Sequence, residues 1–180
     1  SARRDSLNKK LAQAAAQTIQ QQGGHATLVD LADFEIPMYH GDLEAEQGIP
    51  TDVQRLQDLL AQHQGLLIAS PEYNGMPTPL LLNTLDWLSR GSQGLSNFTG
   101  KPAALLSASP GGLGGLRSLW GARQFLGNLG LLVLANQLAV GGAMTAFDEQ
   151  GLLSNPKQQD SLNQISQQLI QLVNATQHPA

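Results

Sequence analysis

Apolar positions along the chain fall into two alternating periods. Leu7, Leu11, Ala14, Ala15 and Ile19 return at helical spacing, behind the cap candidates Asp5 and Ser6 and ahead of the stop signal Gly23-Gly24, which predicts a helix of about four turns. His25 to Leu31 predicts a strand, followed by a polar, irregular stretch through Pro37, Gly41 and Gly48. Helix resumes at Pro50-Thr51, with Val53, Leu56, Leu59 and Leu60 on one face. Gly65 to Ser70 is a short continuous apolar run, the pattern of a strand buried on both faces of a parallel sheet. A loop from Pro71 to Pro77 leads into a helix carrying Leu81, Leu85 and Leu88. Pro102 to Ala108 predicts the next strand, Ser109 to Gly115 a glycine-rich loop, and Leu116 to Leu129 another helix. Leu131 to Leu138 predicts a further buried strand. A last helix, Lys157 to Asn174, places Leu162, Ile165, Leu169 and Leu172 on one stripe.

Strands alternating with helices predict a doubly wound parallel α/β sheet with right-handed crossovers, built as one domain over residues 1–180. Ligands of such sheets sit beyond the carboxyl ends of the strands, so function is sought in the loops that follow them. Composition narrows the chemistry. With no Cys among 180 residues, disulfide frameworks, iron–sulfur clusters, Cys-ligated zinc and thiol catalysis are excluded. Fourteen acids against ten scattered bases, a formal charge of −4, argue against a dedicated nucleic-acid binder. The longest apolar run, Leu129 to Ala135, falls far short of the roughly 20 residues that span a bilayer. No signal-peptide pattern opens the sequence, so a cytoplasmic location without membrane insertion is expected.

Three segments carry candidate chemistry. Ser1-Ala2-Arg3-Arg4-Asp5-Ser6-Leu7-Asn8 leads into the first helix, where free N–H groups joined by Ser, Arg and Asn donors form a phosphate cradle without a Walker lysine. Alone, it reads more simply as an N-cap beside a solvated arginine pair. Pro71-Glu72-Tyr73-Asn74-Gly75-Met76-Pro77 is stiffened by two prolines, and Tyr73 and Asn74 offer the flat surface and amide that a planar heteroaromatic ligand requires. The alternative is a turn with a capping Asn. Ser109-Pro110-Gly111-Gly112-Leu113-Gly114-Gly115 lets the backbone approach a ligand closely and offers unobstructed N–H groups, although a flexible turn accounts for it about as well.

Other signals fail. Gly94 and Gly100-Lys101 are separated by five residues instead of four, with Pro102 where a Walker loop needs Ser or Thr. His25, His40, His63 and His178 lack metal-ligand spacing, and no G-x-S-x-G elbow marks a serine hydrolase. Asp86-Trp87 reads as a helix-end acid beside a packed or interfacial indole.

Together the segments resemble the NADPH-dependent FMN reductase family, a flavodoxin-like group that includes quinone, azo-dye and chromate reductases. The resemblance rests on Ser1-x-Arg3-x-x-Ser6-x-Asn8, on Pro71-Glu72-Tyr73-Asn74 with Leu81-x-Asn83-x-x-Asp86-Trp87, and on Ser109-Pro110-Gly111-x-x-Gly114-Gly115 with Arg117. It implies a five-stranded sheet in the order 2-1-3-4-5 and FMN as cofactor. By the same resemblance Ser1, Arg3, Ser6 and Asn8 hold the FMN phosphate. Pro71, Glu72, Tyr73 and Asn74 line the ribityl chain and isoalloxazine, and Ser109, Gly111 and Gly112 the pyrimidine edge. Two departures stand out. Leu82 replaces a lysine common in the family's third-helix motif, and the apolar strand that precedes the phosphate loop in the family is missing, so the natural chain is expected to carry a strand ahead of Ser1.

Flavin carries the redox chemistry in such proteins, so no side chain is assigned as acid, base or nucleophile and no metal is expected. The reading is a ping-pong cycle: NADPH (or NADH) gives hydride to flavin N5 and leaves, and a small-molecule acceptor such as a quinone or azo compound takes two electrons from the same face. Backbone N–H groups at Gly111 and Gly112, near a helix N-terminus, would stabilise charge on the reduced ring. Alternatives are a flavin reductase releasing reduced FMN to a partner oxygenase, a flavodoxin-type electron-transfer module, and a flavin-free α/β domain. Trp87, Trp120 and Phe125 either form a dimer surface or pack in the core, and the family habit implies a homodimer or homotetramer.

Overall fold

A computed structural model describes residues 1–177; His178 lies outside them. Ser6 closes the N-terminus of α1 (Leu7–Gln21), its hydroxyl accepting from the N–H groups of Asn8 and Lys9. An extended stretch and a 3-10 turn (Leu31–Asp33) lead to α2 (Gly41–Gln47) and α3 (Thr51–Gln62). Then follow β1 (Leu66–Ala69), β2 (Glu72–Tyr73), β3 (Met76–Pro77), α4 (Pro79–Leu88), β4 (Pro102–Ala108), α5 (Leu116–Asn128), β5 (Leu132–Val140) and α6 (Pro156–Gln177).

The sheet has the order β1-β4-β5, all parallel, with Leu66 beside Ala103 and Ala108 beside Val140 at its two ends. These strands take the order expected of the third, fourth and fifth. β4 runs through the centre and is buried along its whole length, because its alternating side chains feed two cores. Ala104, Leu106 and Ala108 face α1 and α6, packing with Leu11, Ile19, Leu162 and Ile165. Ala103 and Leu105 face α3, α4 and α5, packing with Val53, Leu85, Trp87 and Leu119.

Residues His25 to Leu31, expected as a strand, pair with no strand among the described residues. A strand exists only through its ladder, and here a groove of about 910 Å³ separates this segment from β1, lined by Thr27 and Val29 on one side and Leu67 and Ile68 on the other. Side chains hold the segment instead: His63 Nε2 lies 2.8 Å from Thr27 Oγ1, and Lys9 pairs with Asp30 at 2.5 Å. The groove also explains why β1, expected to be buried on both faces, is only half-buried. β5, likewise expected to be buried, is an edge strand closed off mainly toward its carboxyl end. Its register slips between Ala103 and Leu105 of β4. There the Arg123 guanidinium donates to the carbonyls of Val133 and Ala135 and to Gln137 Oε1. The stretch read as irregular around Gly41 contains α2, capped by His40 Nδ1 accepting from the Leu43 N–H.

Candidate functional site

Three loops leave the sheet at the carboxyl ends of β1, β4 and β5, and the lead-in to α1 comes to the same end. Asn8 makes the first link. Its side chain is buried, donating from Nδ2 to the Ala108 carbonyl at 2.8 Å and accepting at Oδ1 from the Ala108 N–H at 2.9 Å. This amide therefore completes the last residue of β4 as a neighbouring strand would. Around it, Ser6 serves as the helix cap and Ser1 Oγ accepts from the Arg3 N–H. Arg3 is exposed and pairs with no carboxylate among the described residues.

The segment Pro71–Pro77 is a β-hairpin. Glu72 opposes Pro77, Tyr73 opposes Met76, and Asn74 and Gly75 turn the chain at φ +53° and +81°. Positive φ at both central residues is the two-residue turn whose twist matches that of paired strands, and Asn-Gly is its commonest sequence. The reading of a stiffened loop missed this, although Asn74-Gly75 carried the signal. Tyr73 and Met76 stand together on the exposed surface of the hairpin. Pro71 is half-buried, its carbonyl accepting from Ser70 Oγ. Pro77 packs on α5 at Gly121, where a Cβ would stand 3.1 Å from the proline ring.

Glu72 turns toward α5. Its Oε2 accepts from the N–H groups of Arg117 and Ser118 at 3.1 and 3.3 Å, and its Oε1 from Arg117 Nε at 2.8 Å and Nη2 at 2.5 Å. The Arg117 guanidinium, outweighing burial and helped by the two N–H groups, holds the Glu72 carboxyl below the ordinary carboxylate range. The partial positive charge at the start of α5 is thus directed at Glu72.

The glycine-rich loop packs against the end of β5. Ser109 N–H donates to the Val140 carbonyl, and the Ala143 N–H donates to the Ser109 carbonyl. A Cβ on Gly114 would meet the backbone of Val140 at 2.6 Å, and one on Gly141 would meet the Gly112 carbonyl at 2.4 Å. Gly111 gives its N–H to Ser109 Oγ at 3.2 Å, while the Gly112 N–H is bonded to no protein group among the described residues. Gly111 and Gly112 are both exposed. The turn Gly141–Gly142 after β5 is part of this assembly and escaped the sequence reading. Paired glycines at a strand end were the available signal.

The Leu81-x-Asn83-x-x-Asp86-Trp87 motif serves a different purpose. Asn83 Nδ2 and Trp87 Nε1 both donate to the Pro37 carbonyl, at 2.9 and 2.8 Å, while Asn83 Oδ1 accepts from the Tyr39 N–H. Tyr39 then lies edge-on to Trp87, 5.0 Å between ring centres, with the Arg90 guanidinium over its face. Trp87 is fully buried, so of the three aromatics offered as a dimer surface it belongs to the core. Phe125 is half-buried, and Trp120 is 62% exposed.

The site therefore joins a helix lead-in with an unpaired guanidinium, a hairpin presenting Tyr73, and a loop of accessible backbone N–H groups. Among the described residues no three His, Asp or Glu gather as metal ligands. Such an arrangement suits binding and orienting a ligand that is anionic at one end and flat at the other.

The sequence profile of the NADPH-dependent FMN reductase family matches residues 1–145. An NAD(P)H-dependent FMN reductase of Pseudomonas aeruginosa is 37% identical over 143 residues, covering 78% of this chain and 76% of the relative. A quinone reductase of Pseudomonas putida is 33% identical over 156 residues, 86% of this chain and 81% of the relative. Among solved structures, the flavoenzyme NAD(P)H:(acceptor) oxidoreductase FerB of Paracoccus denitrificans superposes with a TM-score of 0.83 at 25% identity, over 98% of this chain and 94% of that one.

Proposed function

The chain belongs to the NADPH-dependent FMN reductase family, and from that premise we propose that it is an FMN-dependent NAD(P)H oxidoreductase acting on a quinone or similar small acceptor. One observation carries the reading. The buried Asn8–Ala108 pair and the Glu72 contacts with Arg117 and Ser118 bring all three ligand-type segments to the carboxyl end of one parallel sheet, where such sheets bind nucleotides.

The residues fit FMN. Arg3 offers an unpaired positive charge and Ser1 a hydroxyl beside the start of α1, for the phosphate. Ser6 and Asn8 shape that cradle by capping α1 and tying it to β4. Pro71, Glu72 and Asn74 set the hairpin that presents the Tyr73 ring. Ser109 holds the Gly111 N–H, leaving the Gly112 N–H as the donor available to the edge of a flat heterocycle. When bound, FMN supplies the two-electron redox chemistry that links nicotinamide to acceptor. Tyr73 and Met76 are exposed side by side on the hairpin, and the proposal includes a ping-pong order in which nicotinamide and acceptor use that open face in turn. The reading takes residues 1–180 as one cytoplasmic flavodoxin-like domain. It assembles as a homo-oligomer, for which exposed Trp120 beside the hairpin is the candidate contact.

Anaerobic mixing of FMN-loaded protein with NADPH tests this. The visible flavin absorbance is expected to bleach and to return on addition of a benzoquinone. Flavin-replete protein that stays unbleached with both NADPH and NADH refutes the assignment.

A further inference from the structure

Gly115, immediately before α5, adopts φ +86°, and a Cβ there would lie 2.0 Å from Ser107 Oγ. The close approach of loop to sheet thus demands glycine at the position where a helix ordinarily carries its capping side chain. α5 has no cap from its own segment. Glu72, 45 residues earlier, supplies it: Oε2 takes the N–H groups of Arg117 and Ser118, and Oε1 takes the Arg117 guanidinium. The Glu72 side chain is only 10% exposed. Its hairpin has only two residues in each strand and pairs only with itself. A ribbon this short does not hold its own position: its second strand rests on α5 through Pro77 at Gly121, and its first strand is held there by Glu72.

We propose that the Glu72–Arg117 pair is a positioning latch, which sets the spacing between the Pro71–Pro77 hairpin and the Ser109–Gly115 loop before any ligand arrives. This rests on the FMN reading for its ligand, and its geometry stands on the protein alone. Neither residue handles electrons. With the latch broken, the hairpin occupies its binding position only part of the time, and apparent affinity falls by that fraction. A hairpin in place about a tenth of the time weakens FMN binding roughly tenfold.

Glu72→Gln keeps an acceptor for the helix N–H groups and loses the charge pair; Glu72→Ala loses both. Arg117→Met removes the guanidinium alone, and Arg117→Lys restores a charge. FMN affinity is read by flavin fluorescence titration. Hairpin placement is read in FMN-free protein by the rate of chymotryptic cleavage after Tyr73. Glu72→Gln and Arg117→Met are each expected to weaken FMN about tenfold and to speed cleavage. The double variant should be no worse than either single one, because both remove the same contact, and Arg117→Lys should recover part of the loss. Variants that bind FMN as tightly as the unaltered chain, or whose losses add, overturn the latch. If the unaltered chain itself fails to bind FMN, the flavin reading falls, while the cleavage rates still decide whether the pair holds the hairpin.

Discussion

Asn8 offers the sharpest test of how the site is assembled. Its side chain is 3% exposed and forms two hydrogen bonds with one residue, Ala108, at 2.8 and 2.9 Å. Asn8→Ala removes both and leaves a buried N–H and a buried carbonyl at the end of β4. A net hydrogen bond contributes about 1 kcal/mol, and an orphaned buried group costs about 1–3 kcal/mol. The expected loss is about 3 kcal/mol, which in a domain of this size lowers Tm by about 6–12 °C. Urea unfolding at matched FMN concentration measures it, with Gln20→Ala on the exposed side of α1 as a near-neutral control. Asn8→Asp separates the two bonds. An ionised carboxylate still accepts from the Ala108 N–H and repels the carbonyl, whereas a protonated one donates to it. The folded-state pKa of this introduced acid is therefore raised, so its favourable contact is present at low pH and lost as pH rises through that value. Asn8→Asp should gain stability relative to Asn8→Ala as pH falls from the raised folded-state value to the ordinary carboxylate pKa of about 4, and should gain nothing more below it. An Asn8→Ala loss under about 0.5 kcal/mol, or an Asp variant with no such pH response, would mean that the Asn8 amide does not hold the end of β4.

Gly115→Ala should cost more than a routine glycine replacement, since it combines a positive φ with a Cβ that must displace the buried Ser107 hydroxyl; a loss of about 2–3 kcal/mol is expected by denaturant titration. Trp87→Phe keeps most of the buried ring and deletes the bond to Pro37, so a loss of about 1–2 kcal/mol is expected, together with faster amide exchange at Tyr39. Acidification should destabilise the unaltered protein. The Glu72 carboxyl is held low by Arg117, and Lys9, overcoming the effect of burial, holds Asp30 low. Depressed values mean the contribution is present above the ordinary carboxylate pKa of about 4 and is lost as pH falls through the folded-state values. Urea midpoints measured from pH 6 to pH 3 should fall less steeply for Glu72→Gln and Asp30→Asn than for the unaltered chain. Identical slopes would exclude these groups.

Much of the fold was legible because burial imposes periods on a chain. The apolar stripe of α1 and the unbroken run of β4 identify their elements whatever surrounds them. The order of helices and strands likewise led to the parallel sheet and to the strand ends where the site lies. The residues from His25 to Leu31 show the boundary of that method, since their strand-like pattern records a propensity, while pairing depends on a neighbour at hydrogen-bond distance. β5 was overread for a related reason: an apolar run does not say whether another strand will cover it.

The order of amino acids sets the types of group available: donors before α1, an aromatic between prolines, and glycines after a strand. What each group does depends on the partner that folding brings to it. Asn8 finishes a strand, Glu72 caps a helix 45 residues away, and Asn83 and Trp87 share one carbonyl. Those partnerships join segments far apart in the chain. Which polar group must satisfy which is settled only when folding excludes water and leaves each buried donor the acceptors within reach.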